Sequence, residues 1–151
     1  MEPLNSLVFP MTSAVDENGN LIIGGCNVID LAKEYGTPLY VLDNETIIAK
    51  CREYRLEFGS RYEATKVLYA SKAVINLGLA QLLNSQGMGF DVVSGGELAV
   101  LKVAGIPMEN VYFHGNNKSS QELDDALNVS IGRIVVDSFY EIELLDGLAR
   151  E

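Results

Sequence analysis

One lysine, which directly follows an apolar segment, is the residue best suited to covalent chemistry. The segment Val67-Leu68-Tyr69-Ala70 is short, rich in β-favouring residues and bounded by polar ones, so it predicts a buried strand. Lys72 then lies just beyond the carboxyl end of that strand, where α/β folds build their sites. A lysine amine in such a place can form a Schiff base with a carbonyl compound. An ordinary surface lysine on a loop is the alternative.

Polar residues also follow three later predicted strands. They are Asp91 with Ser94, His114 with Asn116 and Asn117, and Asp137 with Ser138. Parallel strands present their carboxyl ends to one face, so we expect these side chains to converge with Lys72. Asp91 lies within an apolar strand and would need a partner if buried, and Lys72 on the neighbouring strand is a candidate. A hydrogen-bonded structural aspartate is the alternative.

The segment after the predicted strand 111–113 carries the only histidine of the chain, His114. A single histidine is more often structural than catalytic, but its place at a strand end favours a role in a site. Lys118 is suited to orienting a substrate carboxylate, or else is a solvated residue at a helix start. The carboxylates of the later helices, including Glu122 and Glu141, are interpreted as solvated.

Apolar strands alternate with helices from Thr37 onward. The predicted strands are 39–42, 66–70, 90–93, 111–113 and 133–136, and the predicted helices are 45–58, 74–85, 96–103, 119–127 and 140–149. About five βα units with short links indicate an α/β fold with parallel strands, as in part of a (β/α)8 TIM barrel. An open, doubly wound sheet is the alternative. A leader at 1–36, with a strand at 21–23 and a helix at 28–35, would precede the barrel segment 37–151.

Composition limits the kinds of partner. The chain has 151 residues, 48% of them hydrophobic, and a formal net charge of −10. This charge disfavours nucleic acid and anionic membrane surfaces, because both bind clustered Lys and Arg. No segment has the length of a transmembrane helix or the pattern of a secretory signal, so a cytoplasmic protein is predicted. Cys26 and Cys51 lack metal-ligand spacing, so we expect free thiols and no metal.

Four segments resemble one enzyme family in their amino-acid sequence, in their order along the chain and in their spacing. They are Pro38-Leu39-Tyr40-Val41, Tyr69-Ala70-Ser71-Lys72-Ala73, Gly89-Phe90-Asp91-Val92-Val93-Ser94-Gly95-Gly96-Glu97-Leu98 and Phe113-His114-Gly115-Asn116-Asn117-Lys118-Ser119. From about Asn27 to its last residue, the chain resembles the amino-terminal part of the diaminopimelate decarboxylases. These are alanine-racemase-like decarboxylases that use pyridoxal phosphate, and the ornithine and arginine decarboxylases are their relatives.

This resemblance implies a cofactor, a reaction and site residues. Lys72 would carry pyridoxal 5'-phosphate (PLP) as a Schiff base, with Asp91 and His114 beside the cofactor and Asn116 and Asn117 near the substrate. The family decarboxylates meso-2,6-diaminopimelate to L-lysine and works as a homodimer on a small amino-acid substrate. The main phosphate loop of the family lies further along the chain, so phosphate binding is not assigned to the Ser94-Gly95-Gly96-Glu97 turn.

The family members are longer than this chain, and this difference in length affects what we expect of its fold and activity. Their carboxyl-terminal β-domain, with which the strand at 21–23 would pair, has no counterpart within these residues. We therefore expect an unclosed barrel that is inactive by itself and marginal, sticky or oligomeric. A decarboxylase of arginine or ornithine, or a non-catalytic PLP-binding remnant, is the alternative function.

Overall fold

The computed structural model describes residues 8–150, which divide at Glu57 and Phe58 into two compact units. The first seven residues of the predicted leader and the final Glu151 lie outside the described residues. The predicted division into 1–36 and 37–151 concerns the complete barrel and stays a prediction.

The first unit contains a small antiparallel sheet and two helices. The strands are β1 (Ala14–Val15), β2 (Leu21–Ile23) and β3 (Cys26–Asn27), in the order β1-β2-β3. The helices are α1 (Val28–Tyr35) and α2 (Asn44–Gly59). The Asp16 carboxylate accepts the backbone N–H groups of Asn18, at 2.9 Å, and Asn20, at 2.8 Å, and this closes the turn between β1 and β2.

The second unit is an α/β sheet whose strands are all parallel, in the order β4-β5-β6-β7. The strands are β4 (Leu68–Ala70), β5 (Gly89–Val92), β6 (Val111–Phe113) and β7 (Arg133–Ile134). The helices between and after them are α3 (Leu77–Ser85), α4 (Gly95–Val103), α5 (Ser120–Asn128) and α6 (Phe139–Leu148). A 3₁₀ turn, Met108–Asn110, leads into β6.

The core of this unit lies between the sheet and its helices. Phe90 and Val92 of β5 and Phe113 of β6 are fully buried, whereas Asp91 between the two β5 residues is half-buried. Successive side chains of a strand point to opposite faces, so the helices cover one face and the Asp91 face is more open. The chemistry-bearing side chains therefore lie on the face that the helices do not cover.

Gly132 allows a close backbone approach just before β7. A Cβ atom at this position would lie 2.2 Å from the carbonyl oxygen of Glu109, so no other residue fits without movement of the backbone. The Gly132 N–H donates to the carbonyl of Met108 at 2.8 Å. This contact holds β7 in register beside β6.

The predicted α/β class with parallel strands is confirmed, but one predicted strand is not. Residues 39–42 belong to neither sheet, because a strand requires a hydrogen-bonded neighbour and this segment has none among the described residues. Among the described residues, β2 is the central strand between β1 and β3. Its expected pairing with a carboxyl-terminal β-domain stays a prediction.

Candidate functional site

Strand-type hydrogen bonds continue past the assigned ends of β4 and β6 and bring the candidate residues to one edge of the sheet. The Ser71 N–H donates to the Asp91 carbonyl at 2.9 Å, and the His114 N–H donates to the Val92 carbonyl at 2.8 Å. Ala70 is the register partner of Asp91. The segments that carry Lys72, Asp91 and His114 therefore lie side by side at the carboxyl edge.

Lys72 lies in the turn after β4 with an exposed side chain. Within residues 8–150, its ammonium group enters no hydrogen bond and no ion pair, so the amine is available to a ligand. The turn itself is held by Tyr69, whose hydroxyl donates to the Val74 carbonyl at 2.9 Å. Burial raises the pKa of Tyr69 above its ordinary value.

Asp91 has a partner, and the partner is His114. Its carboxylate contacts Nδ1 of the His114 ring. The Asp91 side chain is 20% exposed and the His114 side chain is 43% exposed, so the pair lies at the surface of the site. The contact joins β5 to the loop after β6 and fixes the ring nitrogen that faces the sheet, which leaves Nε2 for a ligand.

The loop after β6 presents two amides next to this pair. Asn116 and Asn117 are both exposed. Gly115, which precedes them, has φ +110°, and a Cβ atom there would lie 3.2 Å from the Val93 carbonyl oxygen. This conformation favours glycine and lets the loop turn closely over the end of β5.

Lys118 and Glu141 differ from their predicted solvated state. Their side chains are 1% and 6% exposed, and Nζ of Lys118 lies 2.8 Å from Oε1 of Glu141. Nζ also donates to the carbonyls of Gly115 and, at 3.0 Å, Val135. Lys118 is therefore committed within the protein, which excludes it from orienting a substrate carboxylate. The helix positions alone did not reveal the pair, because its two residues lie on different elements.

Glu122, also predicted to be solvated, bridges the amino-terminal ends of two helices. Its carboxylate accepts the Gly95 N–H at 2.7 Å and the Ser119 N–H at 2.9 Å. These backbone hydrogen bonds from Ser119 and Gly95 lower the pKa of Glu122 below its ordinary value, although burial acts in the opposite direction. Because this carboxylate takes the Gly95 amide at the start of α4, that helix end is already provided with an anion.

Between residues 8 and 150, no group of three or more His, Cys, Asp or Glu could hold a metal ion. None of the helices between those residues is long and apolar enough to cross a membrane.

Comparison with known proteins places the chain in a family. Residues 44–151 match the model of the pyridoxal-dependent decarboxylases, pyridoxal binding domain. The chain belongs to this family. The predicted resemblance is thereby confirmed, and the match assigns to the chain the pyridoxal-binding part of the family fold.

Curated relatives give the branch that the chain resembles. It is 46% identical to the diaminopimelate decarboxylase of Bacillus methanolicus over 145 residues, covering 96% of this chain and 34% of that protein. It is 47% identical to the Bacillus subtilis enzyme over 140 residues, covering 93% of this chain and 32% of that protein. The chain thus spans about a third of the length of these relatives.

Solved structures agree on the fold. A diaminopimelate decarboxylase from M. jannaschii matches with a TM-score of 0.83 and 34% identity, over 93% of this chain and 33% of that one. A lysine/ornithine decarboxylase from Vibrio vulnificus, 22% identical with a TM-score of 0.66 over 80% of this chain and 32% of that one, shares the fold. The predicted partial barrel of the alanine-racemase-like decarboxylases is therefore confirmed as a fold class.

The residues present fit the aldehyde end of the family's cofactor. An exposed, uncommitted lysine amine stands at the carboxyl edge of the sheet, next to a carboxylate–imidazole pair. The start of α4 is occupied by the Glu122 carboxylate, so these residues offer no phosphate site there. These residues therefore fit the aldehyde end of the cofactor and not its phosphate end.

Proposed function

We propose that the chain is the amino-terminal, PLP-binding part of a diaminopimelate decarboxylase. The complete protein would convert meso-2,6-diaminopimelate to L-lysine and carbon dioxide. The placement of Lys72 carries this proposal, because it joins an available amine to the carboxyl edge of a family sheet. The names of the relatives support the substrate, and one M. jannaschii structure, 34% identical to the chain, contains L-lysine.

Lys72 would hold the cofactor through its amine. Bound PLP supplies an electron sink for the electrons that carbon dioxide leaves behind. The Lys72 amine would bond to the cofactor aldehyde with release of one water, and the exposed turn leaves this amine open to the cofactor. The Tyr69 hydroxyl holds the far side of the turn and so limits where the amine can reach.

The remaining candidates would orient ligands around that amine. The Asp91 carboxylate fixes the His114 ring by its Nδ1, and His114 would present Nε2 towards the bound ligands. Asn116 and Asn117 offer exposed amide donors and acceptors to the polar groups of an amino acid. Each role is a proposal from position and chemistry.

Two alternatives remain as competing proposals. A decarboxylase of arginine or ornithine would use the same lysine, and a PLP-binding remnant would bind without turnover. The identities of 46% and 47% to diaminopimelate decarboxylases favour the first proposal. We further propose that the complete protein acts in the cytoplasm as a homodimer, as the family resemblance implies.

Specific labelling of Lys72 tests cofactor binding. The chain is incubated with PLP, reduced with borohydride and digested, and the labelled peptide is mapped by mass spectrometry. We expect the label on Lys72, because its amine is exposed and uncommitted at the site. Lys102, an exposed lysine on α4, serves as the internal control. Equal labelling of the two lysines would refute specific binding.

The encoding gene tests the reaction. The proposal expects its reading frame to continue past the codon for Glu151 to the length of the relatives. That product should release carbon dioxide from meso-diaminopimelate and not from arginine or ornithine. A stop codon directly after Glu151 would favour the remnant, and release from ornithine or arginine would favour the other branch.

A further inference from the structure

The loop that carries His114, Asn116 and Asn117 is held at its far end by a buried ion pair. Lys118 closes the loop, and Glu141 lies in the first turn of α6, where its own N–H donates to the Ser138 hydroxyl at 3.2 Å. The side chains of Lys118 and Glu141 are 1% and 6% exposed. A buried pair of opposite charges needs good geometry and further hydrogen bonds to be tolerated.

Lys118 meets the second requirement with two backbone hydrogen bonds. Its Nζ donates to the Val135 carbonyl at 3.0 Å and to the Gly115 carbonyl, and it forms an ion pair with Oε1 of Glu141 at 2.8 Å. These three partners belong to the segment after β7, to the loop itself and to α6. A single lysine therefore ties the loop to two neighbouring elements.

The Gly115 carbonyl is the acceptor that concerns the site, because Gly115 directly follows His114. The backbone of His114 is fixed from the sheet side by its N–H, which donates to Val92 at 2.8 Å. The Lys118 hydrogen bond fixes the next peptide from the other side. The His114 ring, which contacts Asp91, thus stands on a backbone that is held at both ends.

We propose that Lys118 and Glu141 are positioning residues that set the orientation of the His114 ring against Asp91. This inference rests on the proposed function of the site. It assigns Lys118 to the support of the loop, whereas His114, Asn116 and Asn117 would contact the ligands. Without the pair, the His114 ring would sample several orientations and the site would bind PLP less well.

Nuclear magnetic resonance of the imidazole ring tests the proposal without any cofactor. His114 is the only histidine, so its ring signals need no assignment. Glu141→Gln keeps the shape of the side chain but removes its charge, and the double variant K118M/E141L replaces the pair by apolar groups, which buried pairs often tolerate. We expect the ring signals of both variants to move or to split into several sets.

Two matched controls accompany these variants. Glu143→Gln changes an exposed carboxylate of the same helix, and Lys102→Met changes an exposed lysine of α4. We expect the ring signals of both controls to coincide with those of the wild type. Circular dichroism and thermal unfolding report whether each variant is folded, and the isosteric E141Q decides the outcome if the double variant is not.

A titration with PLP adds a second readout. We expect its dissociation constant to rise about tenfold in E141Q, because the buried Lys118 ammonium group then loses its counter-charge and holds the loop less well. Folded E141Q with unmoved ring signals would overturn the positioning role and leave the proposed function intact. Shifted ring signals in the variants, together with a wild-type chain that binds no PLP, would support the positioning role and overturn the proposed function.

Discussion

At the scale of single residues, Asp43 shows how one buried carboxylate organises the first unit. The residue is 7% exposed. It accepts the Thr12 hydroxyl and the Thr46 N–H, each at 2.8 Å, and it contacts the Thr46 hydroxyl. Burial alone would raise the pKa of Asp43, but the hydrogen bonds from Thr46 and Thr12 outweigh it and lower the pKa below its ordinary value.

This lowered pKa gives a pH dependence with a definite sign. A carboxyl whose pKa is lower in the folded state stabilises the fold above its ordinary value, near 3.9, and that contribution is lost as the pH falls through the folded pKa. We expect Asp43→Ala to cost about 1–2 kcal/mol at pH 7, the range for a helix N-cap. The difference from wild type should shrink below about pH 4.

Urea unfolding at pH 7 and pH 3 measures this dependence. Asp30→Asn is the control, because the Asp30 side chain is 71% exposed and pairs with an exposed lysine. An equal loss of stability in D43A at both pH values would contradict the assigned role of the Asp43 charge.

The sequence predicted single residues well where their surroundings are local. Lys72 follows a short apolar strand, so its place at a strand end could be read directly. The partner of Asp91 could not be predicted in this way. His114 follows a different strand, and the choice between His114 and Lys72 as the partner depends on side-chain directions. The buried state of Lys118 was missed for the same reason, since Glu141 comes from a distant helix.

At the scale of elements, helix ends were predicted more closely than strands. α1 has the predicted bounds, with Asn27 as its N-cap and Gly36 as its C-cap, because both signals are local. The start of α3 was placed three residues too early, at 74 instead of 77, because its N-cap, Asn76, was not recognised. Two-residue strands such as β1 and β3 carry too little pattern to be predicted.

Glu122 gives a prediction about how two helices are joined. Its carboxylate accepts the amides of Gly95 at the start of α4 and of Ser119 at the start of α5. We expect Glu122→Gln to destabilise the second unit by about 1–2 kcal/mol, because an amide offers one acceptor oxygen where the carboxylate offers two. The Gly95 and Ser119 amides should exchange with solvent faster, as measured by hydrogen exchange.

The pH response of this contact has the same sign as that of Asp43. The pKa of Glu122 is lowered, so its contribution is present above the ordinary value of a glutamate and is lost on acidification through the lower folded pKa. Glu143→Gln, at an exposed position of α6, is the matched control. Unchanged exchange of the Gly95 amide in E122Q would show that the bridge is not needed.

At the scale of the whole molecule, the parallel sheet of the second unit has one face that is less covered than parallel sheets usually are. Fully buried Phe90 and Phe113 face the helices, whereas Asp91 and Tyr112, on the other face, are half-buried. Purely parallel sheets are normally covered on both faces. The sequence predicted the alternation of strands and helices, since each βα unit carries its own pattern. It did not predict that residues 39–42 would stay outside the sheet, because that depends on a partner strand.

Exposed sheet edges give the last prediction. β7 is a terminal strand of its sheet, and the Val135 N–H just after it donates inward to Phe113 at 2.9 Å. Backbone groups alternate along a strand, so we expect those of Val136 to point outward, and this residue is 43% exposed. Unpaired edges with apolar side chains recruit further strands, so we expect the chain to associate as its concentration rises.

Sedimentation velocity over a range of concentrations measures this association. Val136→Lys should shift the distribution towards monomer, because a charge at an edge opposes pairing. Val103→Lys, on α4 at a valine that is 73% exposed, should leave the distribution unchanged. Monomers at every concentration of the wild type, or an equal effect of both substitutions, would show that this edge does not drive association.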